Sequence, residues 1–197
     1  MDLKNSETKI SLMRAFAGES QARNRYTFAA SQAKKQGLHV IEAAFLFTAN
    51  QEKEHAEVFY KHLGELSGET VQIDGGYPVD AAQDMAALLR MARHNELEEF
   101  GDAYPAFAEI AKKEGFSRIA DSFSRIAAIE KTHADRFELL ADLLERERLF
   151  VADVECGWMC LNCGYVFTGK TAPEKCPACD HDRGYFIRLT MAPYTEG

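Results

Sequence analysis

The feature that most restricts this chain is a pair of polar interruptions in otherwise apolar helix faces. Stepping by four and three from Ile119 gives Phe123, Ile126, Glu130, His133, Phe137, Leu140 and Leu144. This spacing marks the buried face of an amphipathic helix. A second stripe runs Ile41, Phe45, Thr48, Glu52, His55, Phe59. In both, a glutamate and a histidine three residues apart occupy core positions. A buried carboxylate without a partner is costly, so each face calls for a compensating cation.

The preceding segments carry one core glutamate each. One stripe reads Leu12, Phe16, Glu19, Arg23, Tyr26, Ala30 and the other Met85, Leu89, Ala92, Glu96, Glu99, Ala103. Glu19 lies 33 residues before Glu52, and Glu96 lies 34 before Glu130. The chain therefore reads as two copies of one helical hairpin. Expected helices run over 5–36, 39–66, 81–114 with a kink at Pro105, and 116–149, with Gly37, Gly68 and Gly115 as stops. The first and third connections are short, so the helices pair within each hairpin. The middle connection is long enough to cross the bundle. A four-helix bundle with one long crossover is the ferritin-like topology, and its di-iron members take a glutamate from each of two helices and Glu-x-x-His from the other two. Carboxylate and imidazole suit iron or manganese, and carboxylates can bridge two ions.

Other polar residues fit a plainer reading. Glu54, Glu57, Glu98 and Asp102 fall off the stripes and read as solvated. His39, His62, His94 and His181 have no repeat partner. Arg23 is either a counter-charge or a side chain that snorkels outward. Tyr26 and Tyr104 lie about two turns from Glu19 and Glu96, as core aromatics or as donors that orient carboxylates.

All five cysteines follow position 155, which marks a boundary near 150 and divides the chain into 1–150 and 151–197. Cys160 and Cys163, then Cys176 and Cys179, form two Cys-x-x-Cys turns with 12 residues between them. Four thiolates so arranged hold one tetrahedral ion, zinc or iron. Gly164 and Pro177 support the turns, and Cys156 reads as a bystander thiol. The segments around these turns read as short strands, and so small a unit needs a metal staple.

The net charge of −8 argues against nucleic acid or an anionic membrane as partner. No apolar run reaches the length of a membrane span, and the N-terminus lacks a signal-peptide layout; the expected location is cytoplasmic. No Gly-rich dinucleotide fingerprint follows a strand.

Taken together, the sequence resembles the rubrerythrin family over nearly its whole length. The match rests on "FAGESQARNRY" at 16–26, "EKEH" at 52–55, Glu96 and Glu99 followed by "YPAFAEIAKKEGF", "IEKTH" at 129–133, and "CLNCGYVF" with "CPAC". The segment "RHNE" at 93–96 departs from it, standing where relatives often have small residues and a glycine. The resemblance implies two irons held by Glu19, Glu52, Glu96, Glu99, Glu130 and His133, with His55 a redox-dependent ligand that exchanges with Glu99. It also implies a rubredoxin-type iron on the four cysteines, and a peroxidase that reduces hydrogen peroxide to water. A separate NAD(P)H-linked reductase or a rubredoxin would supply electrons to a head-to-tail homodimer. The competing reading is a ferroxidase or iron-storage protein. Glu99 has no counterpart in the first half, where Ala22 stands.

Overall fold

The computed structural model describes residues 2–193 and 195. Its helices are α1 (Glu7–Lys35), α2 (His39–His62), α3 (Met85–Glu98), α4 (Tyr104–Lys113) and α5 (Ser117–Glu145). Its strands are β1 (Val151–Cys160), β2 (Val166–Thr171) and β3 (Phe186–Arg188). α1 pairs with α2, and α5 with α3 and α4, as the hairpin reading expects. The fold is a ferritin-like bundle followed by a small antiparallel sheet of order β2-β1-β3.

The two hairpins stop their first helix in the same way. At Gly37 (φ 70°) the Leu38 N–H reaches back to the Ala33 carbonyl at 2.9 Å. At Gly115 (φ 88°) the Phe116 N–H reaches the Ala111 carbonyl at 2.8 Å. Both are left-handed caps that satisfy carbonyls the helix leaves unpaired. α5 ends in this fashion too, with Arg148 N–H on the Leu143 carbonyl at 2.7 Å, but Glu147 (φ 56°) takes the left-handed place without a glycine. The helix therefore stops four residues before the expected Leu149.

The expected kink at Pro105 is a five-residue π-type turn, Glu99–Ala103, between α3 and α4. Proline cannot donate to the i−4 carbonyl and its ring crowds it; a wider turn relieves both. The turn also explains the unequal repeat. Tyr26 follows Glu19 by seven residues and Tyr104 follows Glu96 by eight, whereas both tyrosines precede their Glu-x-x-His glutamate by 26. The extra residue of the second hairpin thus falls between Glu96 and Tyr104, where the wide turn absorbs it and returns Tyr104 to the core face.

The α1 stripe needs correction. Ala15 and Ala22 are buried, whereas Phe16 is half-buried and Arg23 is exposed. Small residues face α2 because they let the two helices approach closely. Arg23 is no counter-charge. That part falls to Arg25, which pairs with Asp80 of the crossover, while Asn95 donates to the same carboxylate at 2.8 Å. The other strap contacts over α1 are Arg14 to Asp74 at 2.5 Å and Tyr77 Oη to the Arg14 carbonyl at 3.1 Å.

The sheet packs on the end of the bundle at the α1–α2 connection. The Tyr185 ring stacks on His39 at 3.9 Å between centroids. Gly184 lies so close that a methyl there would sit 1.8 Å from the Gly37 carbonyl oxygen. Leu161, Ile187 and Met191 pack against the bundle's own core.

Candidate metal centres

The Glu and His residues predicted on separate helices meet in the middle of the bundle. Glu19, Glu52, His55 and Glu130 each offer a ligand atom within 4.8 Å of the others, as do Glu52, Glu96, Glu130 and His133. Glu52 and Glu130 belong to both groups, so the arrangement is two adjoining sites with two shared carboxylates. Glu19, Glu52, Glu130 and His133 are wholly inaccessible and Glu96 and His55 nearly so.

The donor atoms converge on common points rather than on one another. His133 Nδ1 lies 2.7 Å from Glu130, 2.9 Å from Glu52 and 3.4 Å from Glu96. His55 Nδ1 lies 3.0 Å from Glu130, 3.3 Å from Glu52 and 3.6 Å from Glu19. Yet both nitrogens, both oxygens of Glu52 and of Glu130, and one each of Glu19 and Glu96 lack an aligned hydrogen bond. Buried polar atoms are rarely left so, and a cation among them satisfies all at once.

The electrostatics agree. Burial first, then the neighbouring carboxylates, push Glu19 and Glu96 well above the usual carboxylate range. Burial would also raise Glu52, but His133 and His55 outweigh it and hold that carboxyl at about 2. Burial would lower His133, but Glu130, Glu52 and Glu96 push it up to about 11. So many carboxylates cannot all ionise without positive charge, and metal ions displace the protons that otherwise supply it.

Each tyrosine serves the other hairpin's glutamate. Tyr26 Oη donates to Glu96 Oε1, and Tyr104 Oη to Glu19 Oε1. That leaves the second oxygen of each carboxylate facing the centre.

Glu99 alone among the predicted bundle residues joins neither group. Its carboxylate lies 3.8 Å from where a Gly18 β-carbon would be, and it lines a cavity of about 510 Å³ beneath Tyr77 of the crossover. Burial, then Glu130 and Glu52, raise its carboxyl. Two residues escaped the sequence reading: Gln51 adjoins His133 from outside the centre, and Arg136 adjoins Gln51. Glu54, Glu57, Glu98 and Asp102 are exposed as expected. His39, His62, His94 and His181 stand in none of the ligand groups among the described residues.

In the sheet, the four cysteines gather with Sγ pairs at 3.8 Å (Cys160, Cys179) and 3.6 Å (Cys163, Cys176). A tetrahedron with bonds of about 2.3 Å has edges of about 3.8 Å. The two turns match atom for atom. Gly164 and Asp180 N–H donate to the Cys160 and Cys176 carbonyls, and Cys160 and Cys176 N–H donate to the Tyr165 and His181 carbonyls. Asp180 takes the left-handed place at φ 60° that Gly164 takes at 77°. The His181 N–H leads in drawing the Cys179 thiol down to about 6, while neighbouring sulfurs outweigh the Tyr165 N–H and push Cys163 up to about 12. Cys156 lies on β1 outside this set.

A family profile described as Rubrerythrin matches residues 11–141, and one described as the rubredoxin-like domain of rubrerythrin matches residues 158–187. The chain belongs to the rubrerythrin family. It is 47% identical to Rubrerythrin-1 of Clostridium acetobutylicum over 95% of this chain and 97% of that one. It is 42% identical to rubrerythrin of Nitratidesulfovibrio vulgaris, covering 95% and 96%. The solved structure of fully reduced, all-ferrous nigerythrin aligns with a TM-score of 0.63 at 29% identity, over 93% of this chain and 87% of that one. As in this family, the bundle provides a carboxylate–histidine di-iron site, and Cys160, Cys163, Cys176 and Cys179 provide a rubredoxin-like iron site.

Proposed function

We propose that this rubrerythrin-family chain is a non-haem di-iron peroxidase that reduces hydrogen peroxide to water in the cytoplasm. Residues 1–150 form the di-iron unit and 151–197 the electron-transfer unit. The ligands are Glu19, Glu52, His55, Glu96, Glu130 and His133, with Glu99 exchanging for His55. The observation that carries the reading is a dinuclear site with a spare carboxylate on the same chain as a four-cysteine iron site. Iron storage has no need of such a module, because its oxidation is not followed by re-reduction.

When bound in ferrous form, the two irons supply the two electrons that cleavage of one O–O bond requires. The chain's own residues do the rest. Tyr26 and Tyr104 hold Glu96 and Glu19 so that one oxygen of each faces inward. His55 lies inside the ligand group and Glu99 faces the cavity, the arrangement expected of the reduced site. Greater positive charge in the centre favours a carboxylate over a neutral imidazole, so the exchange of Glu99 for His55 has the correct sign for oxidation.

Electrons return through the four-cysteine iron. His39 touches the sheet, and the 16 residues from His39 to His55 span roughly 24 Å of helix. The contact between the module and His39 therefore lies far from the chain's own di-iron site. A head-to-tail homodimer brings one module to the other bundle, and a separate NAD(P)H-linked reductase or a rubredoxin reduces it. Phe47 and Leu139, about half exposed, offer apolar surface for the second copy.

Stopped-flow oxidation of the reduced protein by hydrogen peroxide tests the proposal. Wild type is expected to oxidise in one rapid phase, and Glu99→Ala to cycle more slowly with its helical signal intact. Equal kinetics in both would remove Glu99 from the mechanism. A reduced wild type inert to peroxide would overturn the peroxidase.

A further inference from the structure

The outward nitrogen of His133 ends in a chain of contacts that the peroxidase reading does not use. His133 Nε2 lies 3.1 Å from Gln51 Oε1. The Arg136 Nη1 donates to that same oxygen at 3.2 Å and to Thr48 Oγ1 at 2.7 Å. Its guanidinium rests 4.9 Å over the Phe47 ring. Among the described residues, no carboxylate pairs with Arg136 within ion-pair distance, although Glu96, Glu52 and Glu130 act on it from the centre.

The arginine settles the protonation of the histidine. A guanidinium has donors only, so the Gln51 atom facing it must be the amide oxygen. That oxygen also faces His133 Nε2, so Nε2 must carry the hydrogen. Nδ1 is then the nitrogen that gives up its hydrogen when a cation takes the centre, and its lone pair is the one a metal ligand needs. The other hairpin lacks this device. The residue before Glu130 is Ile129, where Gln51 stands before Glu52, and the residue three past His55 is Val58, where Arg136 stands three past His133. Neither Ile129 nor Val58 can accept from or donate to an imidazole.

We propose that Gln51 and Arg136 are positioning residues that make His133 the fixed histidine of the dinuclear site, while their absence around His55 leaves that ring free to exchange. The unpaired positive charge of Arg136 further disfavours gain of positive charge in the centre, and so raises its reduction potential. The inference rests on His133 being a ligand.

The test uses the full-length chain. Co(II) is titrated into apo-protein against a competing chelator, and the di-iron midpoint of iron-loaded protein is measured with the four-cysteine centre as internal reference. Gln51→Leu is expected to weaken one of two bundle Co(II) ions by about 10- to 100-fold, with rescue in Gln51→Glu. Arg136→Gln is expected to lower the di-iron midpoint, and Arg136→Lys to retain most of it, with the four-cysteine midpoint unmoved in both. Ile129→Gln alters a side chain 37% exposed, so it leaves the fold intact whatever becomes of the buried variants. It is expected to tighten the His55 side by about tenfold. Wild-type affinity in both Gln51→Leu and Ile129→Gln, or a wild-type midpoint in a folded Arg136→Gln, overturns the proposal. A wild-type bundle that binds no pair of Co(II) ions would instead overturn the ligand reading beneath it.

Discussion

Tyr104→Phe separates a tyrosine that orients a ligand from one that only fills the core. The substitution keeps the ring, whose centroid lies 5.5 Å from Phe59 and 6.0 Å from Phe123, and removes only the hydroxyl that holds Glu19 Oε1. Without metal, burial raises the Glu19 carboxyl and so disfavours its charge, and the lost bond is of the ordinary kind, costing about 1 kcal/mol. With metal, Glu19 is ionised and the same hydroxyl serves a charged acceptor, at about 2 to 2.5 kcal/mol. Only the difference reaches the binding equilibrium. Metal affinity should therefore fall by about 1 to 1.5 kcal/mol, roughly five- to tenfold. Chelator competition with Co(II) measures the affinity, and thermal melts with and without metal measure the two stabilities. The loaded protein should lose more than the apo-protein. Equal losses in both forms, or an unchanged affinity, would mean that the hydroxyl is incidental and the ring merely packs.

Three further outcomes are expected. Glu114 caps α1 by accepting from the Glu7 and Thr8 N–H groups at 2.9 and 2.8 Å; burial works against its charge, but these bonds and the Thr8 hydroxyl hold its carboxyl below 4.5. Its stabilisation is present above pH 4.5 and is lost as pH falls through the lowered value. Glu114→Gln should thus cost about 1 kcal/mol near pH 7, read by urea unfolding, and the gap from wild type should close in acid. Removing the four-cysteine iron should unfold the sheet, whose core is little more than Trp158, Phe186, two alanines and two of the cysteines; Trp158, the one tryptophan, should shift its emission to the red while helical circular dichroism persists. Gly184→Ala forces a methyl onto the Gly37 carbonyl, so proteolysis between α5 and β1 should quicken by about tenfold or more, with the bundle's melting unchanged.

How much of this was legible depended on whether a residue's role is local. Glu52, His55, Glu130 and His133 were readable because a helix repeats every 3.6 residues and each breaks an apolar stripe. Phe16 and Arg23 fit the α1 stripe because steps of three and four both suit a helix, and bulk alone does not tell which of two neighbouring faces is buried. The alanines beside them are the buried ones, since the approach of α2 favours small residues. The end of α5 carried no glycine to announce it, Glu147 taking the left-handed place instead. Pro105 announced a break but not its form, because a widened turn is worthwhile only where Tyr104 must regain the core. Gln51 and Arg136 lie on different helices and meet through the Gln51 amide oxygen behind His133, a relation with no period in the sequence.

The departures from the repeat make the two sides of the centre unequal. Two identical hairpins would bind two ions identically, and a pair of equivalent ions gives no reason for one ligand to leave before another. Here the His133 side has an accepting amide and a guanidinium behind its imidazole. The His55 side has Ile129 and Val58, and His55 lines a second opening with Phe47 and Ile129. Glu99 stands beside Gly18, next to Glu19, on the side of the group that contains His55. The one inserted residue lies just past it, in the wide turn. The second hairpin can thus carry an additional carboxylate at the mouth of a cavity without displacing Tyr104 from Glu19. A symmetric frame fixes where two ions sit, and a few one-sided substitutions decide which of them can change its ligand.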